Sequence, residues 1–507
     1  MEHMSWVSLI PPIIAVVLAI VTKNVVISLF SGVYIGVLIL VGGRPLEATM
    51  EVIGNFIFPQ VADSYNAAVL VLLFFIGGFV ALMEKSGGGA ALASSVVKYI
   101  NTRAKAQISA WFGGIIIFFS DLGTPLIVGP VFEKIFDKAK ISREKLAWII
   151  DSTSSPVAVL IPFIGWGVYI MGLIKKEFDL LNINTSEFST LIQVIPFQFY
   201  AILAVSMVPL VAFMKLDFGP MAKAERRVQQ TGELYWPESK PLRKPDKLEE
   251  YQNSGRAIFI WLPLLVLFIT LFGLLFSYGF PFEPVPGNEF RVSLSAAYLF
   301  AALSIIILMI INKSKKFGEI IDIYTTGMQK MVYVALTLVL AWSLGKVIND
   351  MGTAAFIVEA MKGNVPAFII PAILFLVGAA MSLASGTSWG TFAIMLPIAI
   401  PMAVGLDAHL LVCIGAVLSG GIFGDHCSPI SDTTILSSTG AGADHIDHVK
   451  TQLPYAILNA AIALVGFIVA GITGSALTLI LTIILLITAV FIISKTQDRK
   501  YSERVEL

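Results

Sequence analysis

Charge is scarce in this chain of 507 residues: Asp, Glu, Lys and Arg together make up 13% of it. An ordinary soluble domain carries about 25%. With 57% hydrophobic residues, that scarcity excludes a water-soluble globular core. The few charges cancel, 34 basic against 34 acidic, so no global basic field exists and no nucleic-acid partner is expected. Cysteine is nearly absent. Cys413 and Cys427 lie inside apolar sequence, which excludes a disulfide framework. A basic n-region is missing before the first apolar run, which leads straight into a second. The first helix is therefore expected to stay as an anchor and not to be cleaved as a leader.

Apolar length is abundant. Runs of about 20 such residues cross the hydrocarbon of a bilayer. They predict crossings at 6–22, 24–42, 66–84, 146–172, 191–214, 256–281, 292–311, 327–348, 411–440, 452–473 and 475–494, about 11 in all. Two further apolar stretches, 107–133 and 366–404, are interrupted by Gly, Pro and polar residues. The expected fold is an all-α polytopic membrane protein whose partner is the lipid bilayer.

Loop charge orients the chain, because Lys and Arg concentrate on the cytoplasmic side. The segment 215–255 holds Lys215, Lys223, Arg226, Arg227, Lys240, Arg243, Lys244 and Lys247 and reads as a cytoplasmic linker. Lys134, Lys138, Lys140, Arg143 and Lys145 follow the stretch 107–133, and Lys98, Arg103 and Lys105 precede it. Both flanks stay inside only if 107–133 is a re-entrant hairpin. Irregular backbone at depth is tolerated only where protein or a water-filled cavity satisfies it, so such a hairpin lines a pathway.

The chain resembles itself at a spacing of roughly 265 residues. Gly89-Ala90-Ala91 pairs with Gly352-Thr353-Ala354-Ala355. Ser120-Asp121-Leu122-Gly123-Thr124 pairs with Thr387-Ser388-Trp389-Gly390-Thr391, and Ser154-Ser155-Pro156 with Cys427-Ser428-Pro429. The predicted organisation is repeat 1 at 1–214, with hairpin 107–133 and broken helix 146–172, then the linker 215–255. Repeat 2 follows at 256–473, with hairpin 366–404 and broken helix 411–440. An extra transmembrane helix and tail occupy 474–507. An odd number of crossings per repeat inverts the second unit, as in secondary transporters. The N-terminus is then outside and the C-terminus cytoplasmic.

Polar residues gather in the interrupted helices. One run is Asp151-Ser152-Thr153-Ser154-Ser155-Pro156; the other spans Gly424-Asp425-His426-Cys427-Ser428-Pro429-Ile430-Ser431-Asp432-Thr433-Thr434. An ionisable group at membrane depth costs about 2.5–3.5 kcal/mol, so Asp425, His426 and Asp432 demand a function. Pro429 frees carbonyls one turn back. Hydroxyls, carbonyls and carboxylates are the hard oxygen ligands of a small cation. The bland alternatives are hydroxyls that bond back to their own helix and a His426 that only hydrogen-bonds Asp425. Two motifs are decoys. Gly386-Thr387-Ser388-Trp389-Gly390 fits a nucleophile elbow but lacks its strand–turn–helix setting, and no enzyme activity is expected. Asp444-His445-Ile446-Asp447-His448 reads as a solvated loop between crossings rather than a metal site.

The run Gly424–Thr434, with Gly386–Thr391 before it, resembles the NhaC-type Na+/H+ antiporter family of the ion transporter superfamily. The resemblance implies a scaffold domain that dimerises, a mobile transport domain with two hairpins and two broken helices, and elevator-like alternating access. It implies Na+ and H+ as transported ions, no resident cofactor, and a place in a bacterial inner membrane. The ion- or substrate-binding candidates are Asp121, Thr124, Asp151, Ser154, Ser155, Thr387, Ser388, Thr391, Asp425, His426, Ser428, Ser431, Asp432 and Thr433. Of these, Asp425, Ser428, Asp432 and Thr433 are the expected Na+ ligands. Some relatives exchange organic anions or carry amino acids, so Na+- or H+-coupled transport of a small organic acid or amino acid stays open. No buried arginine is evident in the proposed core to hold a carboxylate.

Overall fold

Hydrocarbon offers no hydrogen bonds, so a membrane chain must pair its backbone internally. In the computed structural model this is done with helices. The structure describes residues 6–97, 100–241, 255–280, 282–283, 285–361 and 365–505. Lys98, Lys362 and the linker cations Arg243, Lys244 and Lys247 lie outside the described residues.

The first half runs α1 (Ile10–Thr22), α2 (Val25–Leu40), α3 (Pro45–Glu51), α4 (Phe58–Ala62), α5 (Ser64–Lys85) and α6 (Gly88–Val97). A hairpin of α7 (Arg103–Ile116) and α8 (Gly123–Lys138) follows. The chain continues with α9 (Arg143–Ser152), α10 (Ser155–Ala158), α11 (Gly165–Leu180), α12 (Glu187–Val194) and α13 (Phe199–Met214). After α14 (Gly219–Thr231), the second half runs α15 (Ile258–Ser277), α16 (Gly287–Ile311), α17 (Phe317–Lys330), α18 (Val332–Asp350) and α19 (Thr353–Met361). Its hairpin is α20 (Ile370–Ser385) and α21 (Ser388–Gly405). Then come α22 (Leu410–Cys427), α23 (Asp432–Ala441), α24 (His445–Thr473) and α25 (Thr478–Val505). In each half a helix pair, a lateral segment, a long helix, a short helix, a hairpin and a broken helix follow in the same order.

Among the described residues, eight helices are long and apolar enough to cross a membrane, or ten if each of two bent pairs is one span. The stretch 146–172, expected as a broken helix, is interrupted twice. Pro156 and Pro162 lack the N–H a helix interior needs, and the chain is cut into α9, α10 and α11. The expected crossing 191–214 bends by 51° between Phe197 and Phe199.

Close packing depends on glycine. A Cβ on Gly424 would lie 2.5 Å from the Ala379 carbonyl oxygen and the Leu383 nitrogen. One on Gly420 would lie 2.4 Å from the Phe375 oxygen. Helix α22 thus rests backbone to backbone on hairpin helix α20, the close approach that small residues permit in membranes. Gly129 of α8 and Gly440 of α23 do the same: a Cβ on Gly129 would meet the Gly440 carbonyl carbon at 2.3 Å. Each hairpin is therefore pressed against the broken helix of the second half.

The start of the expected linker is not a free tether. Helix α14 buries Met221, Ala224, Glu225, Arg227 and Val228. Arg227 clasps Glu144 with bonds of 3.0 and 3.1 Å and lies over the Trp236 ring. Lys145 grips Asp217 at 2.7 Å, and Arg103 pairs with Glu225. The Tyr235 hydroxyl donates to the Gly442 carbonyl at 2.9 Å. Residues 217–235 therefore tie the start of α9 to the turn before α24.

Two substitutions check this packing. Gly424→Ala should cost about 2 kcal/mol, because backbone atoms on α20 cannot give way; its readout is the melting temperature in detergent. Arg227→Met strands the buried Glu144 carboxylate and should cost about 3 kcal/mol, read in the same way.

Candidate functional site

Helix α22 ends where Pro429 can no longer supply an N–H. The Ser428 N–H donates to the Asp425 carbonyl at 3.1 Å, closing the last turn. The Ser428 hydroxyl donates across to the Leu383 carbonyl at 2.8 Å, fastening the break to hairpin α20–α21. Gly386 turns that hairpin with φ +72 and sits against Ile430 in the break, where a Cβ would meet the Ile430 oxygen at 2.8 Å.

Asp425 is 4% exposed and is bonded by hydroxyls from two elements. Ser431 Oγ, in the break, donates to its Oδ1 at 2.6 Å. Ser388 Oγ, at the first turn of α21, lies 3.3 Å from Oδ2. Thr433 Oγ1 stands 3.0 Å behind Ser431 Oγ. Helix α21 begins at Ser388, so its positive N-terminal end also favours the carboxylate. These groups form a compact set of oxygens in which one anionic ligand is surrounded by neutral ones, suited to a monovalent hard cation.

Asp151, 1% exposed, forms a second centre. Thr434 Oγ1 (3.2 Å) and Gln452 Nε2 (2.7 Å) donate to its Oδ2, and Ser437 Oγ (3.1 Å) donates to Oδ1. Two imidazoles flank it: His448 Nε2 at 3.5 Å and His426 Nε2 at 3.9 Å from Oδ2. His426 is held by the Tyr200 hydroxyl at 2.8 Å and lies 3.4 Å from Ser152 Oγ. Its carbonyl accepts from Gln452.

Hairpin α7–α8 supplies Asp121. Its carbonyl accepts from Ser154 Oγ at 2.7 Å, which joins the tip to the break after α9. Ser120 Oγ donates to Glu84 Oε1 at 2.5 Å, which joins it to α5. Near these tips the Ser155 and Ser385 hydroxyls and the Trp166 indole N–H are buried without a hydrogen-bond partner.

The structure thus brings together Asp425, Ser388, Ser431 and Thr433, and beside them Asp151 and His426, with Asp121 and Ser154 at the neighbouring tip. Other candidates stand differently. Asp432 is exposed at the first turn of α23, where helix polarity favours a negative charge, and no hydrogen bond joins it to Asp425. Thr124 and Thr391 bond back to the Ser120 and Thr387 carbonyls at 2.9 Å, as ordinary helix hydroxyls do. Thr387 is half-buried at the hairpin turn, and its side chain does not cap α21. The segment 444–448 is not a solvated loop. Asp444 caps α24 through the Asp447 N–H at 2.9 Å, and the histidines diverge: His445 contacts the Pro429 carbonyl at 2.6 Å, while His448 is wholly buried against Asp151. Sequence reasoning did not single out Tyr200, Ser437 and Gln452, and it set His448 aside as part of a solvated loop. The four-residue spacing of His448 and Gln452 places them on one helix face, which is the signal available.

The family with which residues 157–472 match is described as "Na+/H+ antiporter family". A Haemophilus influenzae protein, named only as uncharacterized, is 34% identical over 96% of this chain and 95% of its own. A malate-2H(+)/Na(+)-lactate antiporter of Bacillus subtilis is 38% identical over 20% of this chain and 24% of its own. Among solved structures, the YdaH transporter of Alcanivorax borkumensis, reported with an unusual topology, superposes with a TM-score of 0.57 at 16% identity. It covers 86% of this chain and 91% of that one.

The Asp425 centre has a direct check. Ser431→Ala removes a charge-assisted bond of about 1.5 kcal/mol. The sodium concentration that half-saturates thermal stabilisation of the purified protein should rise roughly tenfold. An unchanged value would remove Ser431 from the site.

Proposed function

Because the chain belongs to the Na+/H+ antiporter family, we propose that it exchanges Na+ for H+ and binds the cation at Asp425. It is an integral multi-pass membrane protein. The observation that carries the assignment is the buried Asp425 carboxylate at a helix break, bonded by hydroxyls from the break and from a hairpin tip. A carboxylate removed from water needs either a proton or a cation beside it. Alternation between the two at one site is sufficient for exchange.

The recurring order of helices supports an inverted repeat with the N-terminus outside and the linker and C-terminus inside a bacterial inner membrane. In this reading the hairpins and broken helices form a transport body that moves against a scaffold, and the scaffold helices form a homodimer. The glycine contacts of α22 on α20 and of α8 on α23 support a single moving unit.

A second reading is coupled exchange of a small organic acid. The unpartnered Trp166 N–H and the Ser155 and Ser385 hydroxyls are donors that a carboxylate could use, and the Bacillus subtilis relative is named for malate and lactate.

Reconstitution in liposomes with a lumenal pH dye separates the two. An imposed Na+ gradient should move protons without any organic solute, and Asp425→Asn should abolish the signal while inserting normally. If proton movement requires malate, lactate or an amino acid, the organic reading replaces the first. If wild type and Asp425→Asn exchange equally well, the site is elsewhere.

A further inference from the structure

We propose that His448 and Asp151 form a proton-binding site separate from the Asp425 cation site, so that the two ions occupy neighbouring centres and not one shared carboxylate. This rests on the Na+/H+ reading above and specifies where its proton resides.

The two centres have different chemistry. Oxygen groups bond Asp425: Ser431 and Ser388 directly, and Thr433 behind them. Asp151 has imidazoles on two sides. Imidazole is the side chain that ordinarily changes charge near neutral pH, and it does so with nitrogen, which a proton prefers and Na+ does not. Of the two rings, His426 is already committed to Tyr200 at 2.8 Å. His448 has both ring nitrogens buried and without a hydrogen-bond partner, and its Nε2 stands 3.5 Å from Asp151 Oδ2. Beside it the Gln452 Oε1 is likewise unpartnered, although its Nε2 holds the Asp151 carboxylate in place. A ring in this position has an anion in front of it and a free acceptor nearby, and is equipped to hold a proton.

The groups that face His448 from the surrounding elements can be named. Helix α9 presents Asp151, and α22 presents His426, with Asp425 one residue before it. Helix α23 presents the neutral hydroxyls of Thr434 and Ser437 to Asp151, and α13 presents Tyr200 to His426. On α14, Arg227 is engaged with Glu144 and Glu225 with Arg103. On α24 itself, Asp447 turns to Ser239 at 2.5 Å.

Coupling follows from charge. The two carboxylates are neighbours through adjacent residues of one helix: Thr434 bonds Asp151, and Thr433 bonds the Ser431 hydroxyl that bonds Asp425. With a proton on His448, the Asp151 charge is neutralised by its neighbour. When Na+ enters at Asp425, the added positive charge disfavours that proton, which leaves His448 for whichever aqueous side is open. Release of the proton in turn restores the negative field that holds Na+. Exchange then arises from repulsion between adjacent sites, without direct displacement.

The experiment measures half-saturating Na+ for thermal stabilisation of full-length wild type, His448→Gln and Asp151→Asn at several pH values. In wild type it should rise about fourfold in all as pH falls from about 8 to 6. In both variants Na+ should still stabilise the protein, with that rise flattened to less than about 1.5-fold over the same range. A merely structural role would lower stability at every pH and leave this slope intact. Wild-type slopes in both variants overturn the proposal, and Asp151→Asn alone decides if His448→Gln does not fold. A wild type that exchanges ions while both variants keep its slope sinks this inference only. A wild type with neither Na+ stabilisation nor exchange sinks the transport reading with it.

Discussion

The constraint on which this structure turns is the presence of two carboxylates, Asp151 and Asp425, away from water in a membrane protein. A charge in that setting must be bonded or neutralised. Both are met by side chains from more than one element: Ser388 and Ser431 for Asp425, and Thr434, Ser437 and Gln452 for Asp151. Those partners lie on separate elements, so the carboxylates hold the inner body together. Helix α23 takes part in both centres, because Ser431 precedes it and Thr434 and Ser437 lie on its face.

Bringing polar groups to this depth requires interrupted helices, and interrupted helices leave backbone groups to be satisfied. The structure meets that need locally. Ser428 donates to Leu383, Ser154 to Asp121 and Ser382 to Gly421, so each break is tied to a hairpin or a neighbouring helix. Glycine permits the approach: Gly424 and Gly420 allow α20 to lie on α22, and Gly129 and Gly440 allow α8 to lie on α23. Hairpins and broken helices are therefore packed as one body. At one end of that body, Arg227, Lys145 and Arg103 bind the segment after α13 to it. A stretch that reads as a linker is thus partly a brace.

Much of the fold was legible because its signals are local. A run of apolar residues long enough for hydrocarbon, or a proline beside serines within such a run, has the same meaning in any context. The run Gly424–Thr434 pointed to Asp425 and Ser431 for that reason. Asp432 stands apart from Asp425 because acidic character alone does not show which way a helix face turns: it begins α23 and is exposed. His448 was hidden by the opposite error. It sits in a polar pentapeptide that resembles a loop, and only the capping of α24 by Asp444 carries it inward to Asp151.

Residence in a membrane, helical structure and helix breaks beside Ser154 and at Ser428–Pro429 are all written locally in the chain. Hydropathy and proline chemistry act within a few residues and need no partner. Tertiary packing alone sets Asp151 and Asp425 as two centres, puts His426 and His448 beside Asp151, and makes residues 217–235 a brace for the core. Those facts depend on contacts such as Asp151 with Gln452 and Arg143 with Gly442, made between residues some 300 positions apart, for which no local pattern in the chain provides a code.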